Sequence, residues 1–221
     1  MKKHYLTAFA VASVVISASA TFAATETTQS VAMRQLRVDH PNLLTMDREG
    51  KVHKLLDKEL ASGRSPIDTA MNFISSWSTG LGVRSDQFIE RGPFPDGHST
   101  QQLMYNPETG EHKFTGVYFM QTADGLPVYE SRLMVLVRNA DGFPAVSATT
   151  VLQDVAGFKR TNKFAANNAV ALMSAAVRLG RGVTISEPEL MVFARTEKDS
   201  AQPTEALVFE ATYGGGWDFD N

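Results

Sequence analysis

Five histidines are the residues of this chain best suited to bind a metal or to transfer a proton, since the sequence contains no cysteine. They are His4, His40, His53, His98 and His112. No two of them are four residues apart, and the helical zinc-binding motif HExxH is missing from the sequence. The lack of cysteine excludes disulfides, thiolate nucleophiles and cysteine-ligated zinc or iron–sulfur clusters.

The other sequence motifs that could indicate a catalytic site are also weak. His98 and His112 flank the turn-forming run 106–110 and could face each other across a hairpin, but two separate polar residues at strand ends are the favoured interpretation. No serine lies in a GxSxG elbow, and Gly214–Gly216 lacks the GK[ST] of a phosphate-binding loop. The sequence therefore predicts a protein that is not an enzyme and binds no metal or cofactor.

An antiparallel sheet is predicted for the middle of the chain. Turn chemistry recurs at 106–110, 123–125 and 139–142, and between these turns the residues alternate as expected for strands. The run 127–138 is predicted to be one strand, with Tyr129, Leu133, Val135 and Val137 on one face. Phe114, Tyr118 and Phe119 lie on the preceding strand, where a place in the core or on the sheet surface is favoured over a ligand platform.

Two helices and further strands complete the predicted elements. Pro66–Trp77 follows the N-cap residue Ser65, and Ile67, Ala70, Met71 and Ile74 form its predicted apolar stripe. A hairpin precedes this helix at 43–55. Beyond a polar boundary at 157–163, a second helix is predicted over 165–179 and two strands over 189–195 and 205–213. This order indicates an α+β fold in which a helix packs on an antiparallel sheet.

The first 23 residues have the pattern of a secretory signal peptide. Lys2 and Lys3 precede an uncharged apolar run, and small residues at 18–20 and 21–23 offer two cleavage sites. The apolar run is too short for a transmembrane anchor, which is the alternative interpretation. We therefore expect a secreted or periplasmic protein of the bacterial type. The net charge of −3 gives no support to binding of nucleic acid or of an anionic membrane.

One segment resembles a known family. The run 114–129, FTGVYFMQTADGLPVY, is similar to the central part of the pro-domains of thermolysin-like and fungalysin-like secreted zinc metalloproteases. Its most specific residues are Gln121, Gly125, Leu126, Pro127, Val128 and Tyr129. The resemblance implies a cystatin-like fold in two linked subdomains, an FTP-like module over 24–159 and a PepSY-like module over 160–221.

The same resemblance implies a function. Pro-domains of this family assist the folding of the protease domain and inhibit it, so the expected partner is a zinc metalloprotease catalytic domain. The chain departs from the family because no protease domain follows, and we expect a partial reading frame that is cut within the last hairpin of the second module. The alternative is a stand-alone secreted PepSY-type binding or inhibitor module. It would use the sheet face around Tyr118, Tyr129 and Arg132, or the turn at Gly125, to bind a peptide or another protein.

Overall fold

The computed structural model describes residues 27–48, 50–94, 96–161, 183–194 and 202–213. These residues form two α-helices, one short 3₁₀ turn and twelve strands. The helices are α1 (Thr28–Asp39) and α2 (Pro66–Trp77), and the 3₁₀ turn is Ser85–Gln87. The strands are β1 (Leu44–Arg48), β2 (Lys51–Ala61), β3 (Phe88–Glu90), β4 (Thr100–Asn106), β5 (Glu111–Ala123), β6 (Leu126–Pro127), β7 (Arg132–Arg138), β8 (Ala145–Val151), β9 (Val183–Ile185), β10 (Glu189–Phe193), β11 (Thr204–Val208) and β12 (Ala211–Tyr213).

Eight of these strands form one large antiparallel sheet. Its order is β1-β2-β8-β7-β5-β3, with β4 beside β3 on the same edge of β5, and β6 paired with the end of β5. The other four strands form two separate pairs, β10 with β11 and β9 with β12. The predicted α+β class with a large antiparallel sheet is confirmed.

The main core lies between α2 and one face of the sheet. Leu55, Ala148, Val135 and Val117 are neighbours in register on four successive strands, and each is fully buried. Burial of such side chains is the largest favourable contribution to folding. From the helix, Phe73 and Trp77 pack into the same cluster.

Helix α2 has the predicted bounds, but its buried stripe differs from the prediction. The Ser65 side chain accepts a hydrogen bond from the backbone N–H of Asp68, and Pro66 occupies the first turn. The residues that α2 buries are Thr69, Ala70, Phe73, Ile74 and Trp77, whereas Ile67 and Met71 are exposed. The prediction is therefore confirmed for Ala70 and Ile74 and wrong for Ile67 and Met71. The buried face is displaced because the two large aromatic side chains, Phe73 and Trp77, pack against the sheet.

Helix α1 was not predicted. It begins after Thr27, whose hydroxyl accepts a hydrogen bond from the backbone N–H of Ser30 at 3.2 Å, and Met33 is its one buried residue. At its end, the Nδ1 atom of His40 lies 3.1 Å from an Asp57 carboxylate oxygen, and the imidazole ring packs against Trp77. Its apolar residues do not recur in one stripe at helical spacing, and only Met33 is buried, so the sequence gives little periodic signal here.

Two predicted strands are each divided in the structure. The run 127–138 breaks at 128–131, where Glu130 has a φ of 57°, so that β6 and β7 are separate. The run 205–213 divides into β11 and β12, which pair with different strands, β10 and β9. The predicted helix at 165–179 and the final hairpin beyond 213 lie outside the described residues.

Candidate functional site

The segment that carries the family resemblance, Gln121–Tyr129, is called the signature segment below. It begins on β5, turns, and continues through β6. Asp124 and Gly125 form a two-residue hairpin turn in which both φ angles are positive, 48° and 76°. This combination is typical of a type I′ turn, and glycine adopts it without steric cost. Gly125 is therefore a turn-forming residue, and Pro127 lies on a strand of only two residues.

Gln121 forms the central polar contact of the signature segment. Its side chain is fully buried, and its Nε2 atom donates to the carbonyl oxygen of Gln153 at 3.1 Å. The backbone N–H of Gln153 donates in return to the Gln121 Oε1 atom at 2.9 Å. The two bonds, called the Gln121–Gln153 bridge below, satisfy backbone groups that leave the sheet just after β8. A buried amide with both ends paired in this way holds the two segments in one relative position.

The turn at 128–131 depends on Ser131. Its hydroxyl accepts a hydrogen bond from the backbone N–H of Gln121 at 3.0 Å and donates to the carbonyl oxygen of Val128 at 2.8 Å. Glu130 lies in the left-handed region within this turn. Its negative charge, followed by burial of the ring, raises the pKa of the Tyr129 hydroxyl. The turn directs Val128 and Tyr129 away from the main core.

Val128 and Tyr129 instead contact β10. Val128 is fully buried in a second apolar cluster with Leu126 and Val192, and Val128 and Val192 form a parallel β-bridge. The backbone N–H of Tyr129 donates to the carbonyl oxygen of Val192 at 2.9 Å, and its ring stacks on Phe193. The signature segment therefore joins the large sheet to the β10–β11 pair.

Two contacts that involve a charged side chain lie close to this junction, and the first of them crosses it. Arg91, just after β3, donates from both terminal nitrogens to the two carboxylate oxygens of Glu189 on β10. This contact raises the pKa of the Arg91 guanidinium. Glu205 of β11 is buried and accepts hydrogen bonds from the backbone N–H and the hydroxyl of Thr161, the latter at 3.0 Å. The two parallel hydrogen bonds between Arg91 and Glu189 favour a fixed orientation of β3 relative to β10.

The second face of the large sheet, opposite α2, is called the outer face below. It consists of the side chains that alternate with the core residues on the four central strands. These are Lys54, Leu56, Phe114, Gly116, Tyr118, Met120, Arg132, Met134, Leu136, Arg138, Ser147, Thr149 and Val151. The prediction that Leu133, Val135 and Val137 share one face is confirmed, and Arg132, Met134 and Leu136 lie on the other face.

Tyr118 and Arg132, the two predicted partner-facing residues, differ in exposure. Arg132 is exposed, and a cleft of about 390 Å³ adjoins it. Tyr118 is only 8% exposed, because the ring of Phe94 packs edge-on against it and its hydroxyl donates to the Gln101 Oε1 atom at 2.8 Å. Arg132 therefore offers more surface to a partner than Tyr118 does.

The four described histidines lie apart from one another. His53 Nδ1 is 2.9 Å from the carbonyl oxygen of Thr150, whereas His40 contacts Asp57 at the end of α1. His98 precedes β4 and His112 pairs with Tyr105 near the other end of that strand, so the hairpin separates them. Among the residues that the structure describes, no three His, Asp or Glu side chains are grouped closely enough to hold a metal ion.

The described part of the chain contains no helix long and apolar enough to span a membrane. In comparisons with known proteins, the chain matches no family profile, no curated protein and no solved structure.

Sequence reasoning identified the signature segment but not its role as a junction. The contacts that define the role join residues distant in sequence, such as Gln121 with Gln153 and Val128 with Val192. A local signal was the polar run Glu130-Ser131-Arg132, which interrupts the apolar residues of the predicted strand; serine is typical of a turn.

Proposed function

We propose that this chain is a non-catalytic propeptide that assists the folding of a secreted zinc metalloprotease and inhibits it. In this proposal the large sheet with α2 is the FTP-like, cystatin-like module, and the residues from 160 onwards form the PepSY-like module. The chain is exported by its N-terminal leader and meets the catalytic domain outside the cytoplasm.

The main support for this proposal is the position of the signature segment between the large sheet and β10. Three of the six residues by which the chain resembles the pro-domain family, Leu126, Val128 and Tyr129, contact β10. A two-module propeptide requires a junction of this kind, because both modules must meet the protease in a fixed relative orientation. The fully buried contact of Val128 with Val192 supports the proposal that the two modules meet at this point.

Binding explains how such a module assists folding. A protein that binds the folded catalytic domain but not its unfolded chain stabilises the folded form by mass action. At a free concentration one hundred times the Kd, this stabilisation is about 2.7 kcal/mol. The same surface contact inhibits the enzyme when the bound propeptide covers the substrate cleft.

The experiment is a refolding assay in trans. A thermolysin-like catalytic domain from the genome that encodes this chain is unfolded in urea and diluted with or without the full chain, and peptide hydrolysis measures the yield of active enzyme. Native enzyme is assayed in parallel for inhibition. The Phe73→Asp variant, which places a charge in the main core, is the unfolded control. The proposal is abandoned if the chain changes neither the refolding yield nor the activity beyond this control.

A further inference from the structure

A cleft at one end of the outer face is lined by two opposite charges that do not pair with each other. The cleft has a volume of about 390 Å³, and Met120, Glu130, Ser131, Arg132 and Val151 are among the residues that line it. It is called the Glu130–Arg132 cleft below. Binding sites for small molecules typically have volumes of about 300–1,000 Å³, so the size of this cleft is suited to a small ligand.

Three charged side chains line the cleft, those of Arg91, Glu130 and Arg132. Arg91 binds Glu189 through both terminal nitrogens, so its charge is already neutralised within the chain. Glu130 and Arg132 are both exposed, and neither forms an ion pair with a residue that the structure describes. The cleft therefore offers a ligand one carboxylate and one guanidinium whose charges are not neutralised by described residues.

Contacts within the chain hold the walls of the cleft in place. The Ser131 hydroxyl bonds to two backbone groups of the signature segment and so fixes the turn that contains Glu130. Gly92, which also lines the cleft, is buried, and a Cβ atom there would overlap the carbonyl oxygen of His98. The loop at Gly92 is therefore closed as tightly as glycine allows. A cleft with preformed walls loses little conformational entropy when a ligand binds.

The backbone of Glu130 has a conformation that is unfavourable for its residue type. Its φ of 57° lies in the left-handed region, which glycine adopts without steric cost. Residues other than glycine that are held in this region occur preferentially at binding and active sites, where the surrounding structure enforces the conformation. A glutamate here costs stability relative to glycine, which favours a role for its carboxylate in binding.

We propose that the Glu130–Arg132 cleft binds a short peptide of about two residues in its zwitterionic form. Arg132 binds the carboxylate of the ligand through two parallel hydrogen bonds, and Glu130 accepts hydrogen bonds from its ammonium group. The apolar side chains of the ligand contact Met120 and Val151. A dipeptide suits this site better than a free amino acid, whose two charged groups are attached to a single carbon atom. Binding at this cleft does not depend on the proposed function as a propeptide.

The test is a nuclear magnetic resonance titration of the full, isotopically labelled chain with three dipeptides, each at concentrations up to about 10 mM. Leu-Leu has both charges, N-acetyl-Leu-Leu lacks the ammonium group, and Leu-Leu amide lacks the carboxylate. The variants E130Q and R132Q each remove one charge from the cleft. E108Q and K159Q remove the same charges at exposed positions that do not line it. Circular dichroism establishes that each variant is folded.

We expect Leu-Leu to shift the amide signals of Met120 and Ser131 and to bind at least about five-fold more tightly than either blocked form. E130Q should lose only the preference over N-acetyl-Leu-Leu, and R132Q only the preference over Leu-Leu amide, whereas E108Q and K159Q should keep both. A substitution that acts only on the structure would weaken all three ligands equally, and that result overturns the proposal. Unshifted cleft signals, or tighter binding of free leucine than of Leu-Leu, also overturn it. None of these outcomes decides the refolding assay, so the proposed function is tested separately.

Discussion

Replacing Gln121 by leucine or by glutamate measures the contribution of the Gln121–Gln153 bridge. Leucine has a similar volume but forms neither hydrogen bond, so the N–H and the carbonyl oxygen of Gln153 lose their partner. Gln153 is only 6% exposed, so solvent reaches these groups poorly. Each buried polar group left unpaired costs about 1–3 kcal/mol. Gln121→Leu should therefore lower the free energy of unfolding by about 2–6 kcal/mol, a large part of the stability of a typical domain.

Gln121→Glu adds a dependence on pH whose sign follows from the two bonds. A protonated carboxyl accepts from the N–H of Gln153 and donates to its carbonyl oxygen, as the amide does. An ionised carboxylate cannot donate, repels that carbonyl oxygen and is buried without a cation. All three effects raise the pKa of the introduced carboxyl above the value of about 4.3 that it has in the unfolded chain.

Because the folded-state pKa of the introduced carboxyl is raised, its contribution to the free energy of unfolding is complete below about pH 4. That contribution is lost as the pH rises towards the folded-state pKa. Relative to the unchanged chain, Gln121→Glu should be nearly equal in stability at about pH 4. It should then lose about 1.4 kcal/mol per pH unit until the pH reaches the folded-state pKa. Comparison with the unchanged chain at each pH removes the titration of all other groups.

Urea unfolding followed by far-ultraviolet circular dichroism between pH 4 and 7.5 provides the measurement. Gln202→Glu, the same change at an exposed position, should show no such slope. A Gln121→Glu deficit that does not vary with pH would refute the bonding scheme. So would a Gln121→Leu variant within 0.5 kcal/mol of the unchanged chain, an approximate margin expected for substitutions without structural consequence.

Three further substitutions test single contacts, each by urea unfolding. Ser147→Ala should be neutral or stabilising by up to about 1 kcal/mol, because the hydroxyl is buried with no described partner; a larger loss contradicts this. Glu130→Val should be about 1–2 kcal/mol less stable than Glu130→Gly, since φ is 57°; equal stability contradicts the strain. Trp77→Phe should cost about 1–3 kcal/mol by leaving the Leu60 carbonyl oxygen unpaired, and a neutral result argues against that bond.

The elements that the sequence predicted correctly are those with local signals. The N-cap Ser65 and the following proline mark the start of α2, and the residue pair Asp124-Gly125 has the chemistry of a two-residue hairpin turn. The alternation of residues along β7 also correctly predicts that Arg132 lies on the face opposite Leu133. These signals act within a few residues, so they can be recognised without knowledge of the tertiary contacts.

The errors arose where distant contacts override the local pattern. The run 127–138 alternates like a continuous strand, but Ser131 and Val192 hold residues 128–131 in a turn instead. Tyr129, predicted on the same face as Leu133, therefore stacks on Phe193. Similarly, nothing near residue 121 in the sequence indicates that its amide pairs with the backbone of residue 153.

Most of the signature segment is part of the scaffold of the protein. In the signature segment, Gln121, Leu126 and Val128 are buried and form contacts within the chain, so these residues describe the scaffold rather than a surface for a partner. Asp124 and Gly125, at the turn of the same segment, are exposed and make no such core contact. Substitution of Gln121 should therefore act on function only through the loss of stability that it causes, whereas a substitution at the exposed turn should leave the buried contacts of the segment in place.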